Sequence, residues 1–174
     1  SNWCEALSVD FTLDGGYILS GLGTNDIDNK EMYVLKINSL GKQQWDRNYG
    51  ISTQDGGSKL KTLENGHYFL TGNIRENGVR KNYYAELGEW GEIIWDKVQN
   101  IHPNNSFAIR DYVFTGDGFA FMGVAHYNKT NTDLQPLLVK TDADANVIWK
   151  KTLTDENGIT AYITDMDKIE GGYV

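Results

Sequence analysis

One cysteine, two prolines and a shortage of positive charge set the first limits on this chain. With Cys4 alone, no internal disulfide can form. No histidine or basic cluster flanks it in sequence, so it reads as a small buried side chain rather than a reactive thiol. The 16 Lys and Arg residues are scattered and outnumbered by 24 acids, for a net charge of −8. A nucleic-acid or anionic-membrane surface needs a basic stripe to displace counterions, and this distribution offers none. No apolar run approaches the ~18 residues of a membrane-crossing helix. The opening Ser1-Asn2-Trp3-Cys4-Glu5 lacks the basic flank and apolar core of a signal peptide, as a mature or excised segment also would. Nothing sustains a 3.6-residue hydrophobic period, so no substantial helix is expected.

What the chain does contain is a beat. Tyr17-Ile18-Leu19-Ser20-Gly21 returns as Tyr68-Phe69-Leu70-Thr71-Gly72 and as Phe119-Ala120-Phe121-Met122-Gly123, with Gly21, Gly72 and Gly123 spaced by 51 residues. A turn precedes each copy: Asp14-Gly15-Gly16, Asn65-Gly66-His67 and Gly116-Asp117-Gly118. A second marker keeps phase, with Gly41-Lys42-Gln43-Gln44-Trp45 returning as Gly91 to Trp95 and as Ala145 to Trp149. The stretch from Glu170 to Val174 begins a fourth copy. Each period holds four short runs rich in β-branched and aromatic residues, bounded by Gly, Asn and Asp; in the first these lie near 6–13, 17–23, 31–37 and 43–49. Four strands in about 40–50 residues, repeated, is the pattern of a β-propeller blade. The expectation is therefore an all-β partial propeller of four-stranded antiparallel blades. Three are complete, at about 5–50, 56–100 and 105–153, with a fourth begun at 159–174. The 174 residues are expected to be a single segment of a longer propeller, its missing blades supplied by the same chain or by a partner subunit.

Asp-Gly and Asn-Gly pairs supply the positive φ angles of tight hairpins. Gly41 and Gly91 fit the left-handed residue of a short loop after the third strand. At the equivalent place Ala145 would be strained, so Asp144 or Asn146 is expected to take the left-handed position instead.

The pattern D-G-G-Y-I-L-x-G followed by Y-V-L-K-I-x-x-x-G-x-x-x-W resembles the propeller repeats of large secreted and surface-anchored bacterial proteins. Residues 14–21, 31–45, 68–72, 81–95, 119–123 and 137–149 carry it. The resemblance implies an extracellular or cell-surface scaffold. The Gly-x-x-x-Trp element also resembles the docking motif of quinoprotein-type propellers, in which the Trp locks neighbouring blades. Their cofactor chemistry needs a metal-binding carboxylate set and often adjacent cysteines, so no cofactor is expected here. Trp45, Trp95 and Trp149 read as structural and buried, one per blade at a fixed place, as do the repeated Gly21, Gly72 and Gly123.

Strand alternation puts the first–second and third–fourth hairpins on one face and the longer second–third loops, at 22–31, 73–81 and 124–136, on the other. Inter-blade connections fall on that second face too. Loops on a rigid scaffold are where binding concentrates. Candidate ligand-binding residues there are Asp26, Asp28, Arg75, His126 and Tyr127. Asp26-Ile27-Asp28-Asn29 and Asp142-Ala143-Asp144-Ala145-Asn146 have alternating oxygen ligands but lack the glycine and distal glutamate of a calcium loop, so turn chemistry is preferred and no metal is expected. His67 replaces a turn glycine, and His102 precedes a proline. Sequons at Asn104 and Asn128 fall in loops on the same face. The first strands offer Ser8, Asp10, Lys59, Lys61, Arg110, Asp111 and Thr164, a mixed set without a repeated ligand pattern. The leading expectation is a non-enzymatic recognition module binding protein or glycan through the long-loop face. The alternative is a propeller enzyme (hydrolase, lyase or quinoprotein-type) with its site at the central channel.

Overall fold

The computed structural model describes residues 3–26, 29–50, 56–76, 79–101, 107–126, 134–153, 165–169 and 172–173. Twelve strands form three four-stranded antiparallel sheets, each in simple sequence order. Sheet 1 holds β1 (Trp3–Phe11), β2 (Tyr17–Asp26), β3 (Asn29–Ile37) and β4 (Gln43–Tyr49). Sheet 2 holds β5 (Gly56–Thr62), β6 (Tyr68–Glu76), β7 (Val79–Leu87) and β8 (Ile93–Gln99). Sheet 3 holds β9 (Phe107–Phe114), β10 (Gly118–His126), β11 (Leu134–Asp142) and β12 (Val147–Thr152). A two-stranded hairpin, β13 (Lys168–Ile169) with β14 (Gly172–Tyr173), follows. No helix occurs among the described residues. The chain divides into two compact units, residues 1–99 with sheets 1 and 2, and residues 100–174 with sheet 3 and the hairpin. This repeated four-stranded arrangement is compatible with a propeller-like fold.

In the first unit, sheets 1 and 2 share one core. Ile18, Met32, Val34 and Tyr49 from sheet 1 meet Leu60, Tyr68, Leu70 and Tyr83 from sheet 2, all buried. Side chains alternate across each strand, so every second residue enters this seam. Burial of each large apolar side chain contributes about 1.5–3 kcal/mol. The opposite face of sheet 1 is open: Val9 is 62% and Phe11 72% exposed. Cys4 pairs with Gly23 on that open face and is exposed, which corrects the expectation of a buried thiol.

The repeated glycine has a steric cause. In sheet 1 a bulge between Ala6 and Ser8 presses β1 against β2, and a Cβ on Gly21 would meet the Glu5 carbonyl oxygen at 1.7 Å. In sheet 3 the register shifts at Gly123, where a Cβ would meet the Ala108 carbonyl oxygen at 2.2 Å. The glycine is needed for close backbone approach opposite a bulge.

Two sequence expectations fail at loops. The segments 22–31 and 73–81 are mostly strand: Asp26 pairs with Asn29, and Glu76 with Val79. Only positions 27–28 and 77–78 lie between the paired strand ends. Ala145 also departs from expectation. It adopts φ +57° itself, as Gly41 does at +75° and Gly91 at +78°. All three third–fourth turns close with the same bond: Gly41 N–H to Asn38 O, Gly91 N–H to Gly88 O, and Ala145 N–H to Asp142 O. The Asp142 carboxylate accepts from the N–H groups of Asp144 and Asn146 and from the Asn146 amide, and this ring of bonds holds Ala145 in its strained position.

Candidate functional site

One position on the third strand reaches back to the first turn of its own sheet. In sheet 1 it is Lys36, buried, whose Nζ donates to both oxygens of Asp14 at 2.9 Å, to Gln44 Oε1 at 2.8 Å and to Ile37 O at 3.2 Å. Asp14 Oδ1 also accepts from the Thr12 hydroxyl and from Gly16 N–H. The Thr12 hydrogen bond first, then that of Lys36, holds the Asp14 carboxyl at about 2. Sheet 3 repeats the device with Lys140 Nζ on Asp117 Oδ1 at 2.9 Å. There the hydrogen bonds from Lys140 and then Thr115 bring Asp117 to about 2.

Sheet 2 inverts it. Glu86 stands where the other sheets have lysine, and His67 Nδ1 meets its Oε1 at 2.6 Å while Trp95 Nε1–H donates to Oε2 at 2.8 Å. Burial opposes ionisation of Glu86, but the hydrogen bonds from His67, Trp95 and Asn65 outweigh it, and the carboxyl lies below its usual range. His67, which in sequence looked like a lone departure from glycine, is the partner of that acid.

At the seam, β4 presents three donors at alternate positions. Trp45 Nε1–H donates to Glu89 O at 3.1 Å, Arg47 Nε–H to Trp90 O at 3.0 Å and the Tyr49 hydroxyl to Gly91 O at 2.7 Å. Three side chains thus bond three consecutive carbonyls of the neighbouring sheet's tight turn. The period of two along a strand is what lets them point the same way. Beside this row lies a cleft of about 270 Å³, lined by Leu13, Asp14, Asn65, Gly66, His67, Tyr68 and Glu89. It sits among the first–second and third–fourth turns, at the end of the sheets opposite the expected binding face. Tyr68 is 2% exposed, with its ring 6.2 Å from that of Trp45. Its hydroxyl is pushed up to about 12 by burial first and then by the charges of Asp14 and Glu89.

The sequence candidates fall elsewhere. Asp26 ends β2 and Arg75 lies exposed near the end of β6, opposite Arg80. His126 ends β10 and pairs with Leu134. Asp28 and Tyr127 lie outside the described residues, as do His102, Thr164 and the asparagines of both sequons. The strands place Asp26 and Arg75 on hairpin ends of successive sheets. Of the repeated tryptophans, Trp45 docks across the seam, Trp95 serves Glu86 in its own sheet, and Trp149 is 42% exposed, short of the burial expected of it. No three-residue cluster of His, Cys, Asp and Glu suited to a metal occurs among the described residues. The Tyr68 cleft itself went unseen in sequence, because it joins residues from three separate turns. The only hint was the adjacency of Tyr68 to the irregular turn 65–67.

No family model and no curated protein matches the chain, so the resemblance to surface propeller repeats rests on its motifs alone. Among solved structures it is similar to a protein of unknown function from Bacteroides caccae, at 12% identity and a TM-score of 0.46, covering 96% of this chain and 68% of that one.

Proposed function

We propose that the chain is part of a β-propeller that serves as a non-enzymatic recognition module at the cell surface or outside the cell, its three sheets being consecutive blades. One observation carries the reading: three polar side chains on the first strands are committed to backbone groups. Ser8 Oγ donates to Leu60 O at 3.4 Å, Asp10 Oδ2 accepts from Thr62 N–H at 2.7 Å, and Asp111 Oδ2 accepts from Met166 N–H at 3.0 Å. Groups spent on backbone hydrogen bonds are poorly placed to act as a nucleophile or base. The open apolar face with Val9 and Phe11 supports a further blade packed against sheet 1. Ligand contact, to protein or glycan, falls to the second–third hairpin ends that carry Asp26 and Arg75.

Immobilised polysaccharides and surface proteins, screened against the purified protein, test this. The expected ligand is retained intact, and its affinity falls in an Asp26→Ala, Arg75→Ala double variant. Release of shortened or modified products would overturn the non-enzymatic reading. Binding untouched by the double variant would overturn its placement.

A further inference from the structure

Sheet 1 carries, on its open side, a repeat of the face that it covers on sheet 2. Across the strands of sheet 2, Leu60, Leu70, Ala85 and Asp96 pair in one row, and the three apolar members are buried in the seam. The same row in sheet 1 is Val9, Leu19, Leu35 and Asp46. The neighbouring row repeats as well: Tyr68 pairs with Leu87, and Tyr17 with Ile37. Even the polar bond on this face recurs. The Tyr83 hydroxyl donates to Asp96 Oδ2 at 3.1 Å, and the Tyr33 hydroxyl to Asp46 Oδ2 at 3.0 Å. Paired residues share a face, so register alone makes these rows correspond. The difference is cover: Leu60 is 1% exposed and Val9 is 62%. The rim corresponds too. In sheet 2 the carbonyls of Glu89, Trp90 and Gly91 accept from Trp45, Arg47 and Tyr49. Their counterparts in sheet 1 are the carbonyls of Ser39, Leu40 and Gly41, in a turn closed by the same bond around the same left-handed glycine. Among the described residues, those three carbonyls accept no hydrogen bond.

We propose that this open face receives a further sheet of the same repeat, whose fourth strand presents an indole N–H, a guanidinium and a phenol at alternate positions to the carbonyls of Ser39, Leu40 and Gly41. The inference rests on the blade reading above and deepens it. That reading asks for some cover over Val9 and Phe11; the rim specifies the chemistry of the cover. Apolar burial is non-directional, so an unrelated apolar partner would cover Val9 and leave the three carbonyls unused. A strand bearing Trp-x-Arg-x-Tyr satisfies both, as β4 does on sheet 2, and its three bonds at a fixed spacing set the register of the contact.

An extended chain tests this. Residues 1–50 are repeated ahead of Ser1, which sets the added Trp45 before the original one at the 50-residue spacing of Trp45 to Trp95. Cys4→Ser in the added copy leaves a single thiol, the original Cys4, exposed on the open face. Cys4 pairs with Gly23, whose counterpart in sheet 2, Ile74, is buried in the seam, so a docked sheet covers the thiol. Its rate of modification by N-ethylmaleimide is measured in the parent and extended chains, and extension should slow it about tenfold or more by closing access. Trp45→Ala, Arg47→Ala and Tyr49→Phe, made together in the added copy only, should restore most of the parent rate. Arg47→Ala alone, at an exposed position of the added strand, removes one bond without a ring and should raise the rate about threefold. An unchanged rate on extension would overturn the proposal. Protection that survives loss of the whole row would overturn the role of the rim. Protection of the parent chain that grows with its own concentration would assign the face to a second copy instead. Ligand retention at the hairpin ends is read on the unextended chain, so loss of docking with retention intact overturns the docking alone.

Discussion

Sheets 1 and 2 close their first turns from the same backbone position with opposite charges. In sheet 1 a buried lysine holds an aspartate in the turn; in sheet 2 a glutamate on the third strand holds a histidine and takes the next tryptophan as well. Backbone geometry fixes that a long polar side chain at this place reaches the turn. Its sign is free so long as the turn supplies the complement. The exchange also redirects the tryptophan: Trp45, beside a lysine, is left to dock across the seam, whereas Trp95, beside a glutamate, donates to it. Room differs too. A Cβ on Gly16 would meet Ile37 O at 2.3 Å, so sheet 1 could not adopt His67's solution without moving its backbone.

What the sheets share should be the costliest to disturb. Gly21→Val places side-chain atoms where the Glu5 carbonyl lies 1.7 Å from the Cβ position and should cost about 3 kcal/mol or more, whereas Gly56→Ala, with nothing within 4 Å of its Cβ, should cost under about 1 kcal/mol. Urea denaturation of the two variants checks this, and equal losses would break the steric account of the repeat. The tryptophans come next. Trp45→Ala removes a seam contact and its bond to Glu89 and should cost about 3 kcal/mol, near the low end for a large aromatic. Trp149→Ala, at 42% exposure, should cost about 1 kcal/mol. If calorimetric melting ranks them the other way, the docking row is not what distinguishes the regions.

A gain is expected at the third turn. Ala145 bears φ +57°, so Ala145→Gly relieves left-handed strain of about 1–2 kcal/mol against about 0.5–1 kcal/mol of added chain entropy, and should stabilise by up to about 1 kcal/mol. Thermal melting of this variant sharpens the contrast with Gly41 and Gly91. A loss would show that the alanine methyl packs favourably.

The smallest effect concerns acid. The Asp14 carboxyl lies at about 2 in the folded chain against 3.8 as its ordinary value. A folded value below the unfolded one means the turn's stabilisation is present above about 4 and is lost as pH falls through about 2. Asp14 is partly solvent-exposed, so the change is modest. Melting temperature measured between pH 4 and 2 should fall less steeply in Asp14→Asn than in the parent chain. Parallel slopes would show that Asp14 does not carry the linkage.

The strand pattern and the repeat were legible because both are local. Alternation of apolar residues, Asp-Gly and Asn-Gly turns and a 51-residue glycine beat are written along the chain, and the four strands near 6–13, 17–23, 31–37 and 43–49 appear within a few residues of those places. The segments 22–31 and 73–81 read as loops, whereas strand pairing runs through most of both. Ala145 shows the limit of local reasoning: propensity argues against its conformation, and the hydrogen bonds of Asp142 impose it. Tertiary structure alone decided the rest. The bulge that demands Gly21, the partner that explains His67 and the cleft uniting Asp14, Tyr68 and Glu89 all depend on strands and turns distant in sequence. Periodicity says which face a side chain takes; only packing says what it meets there.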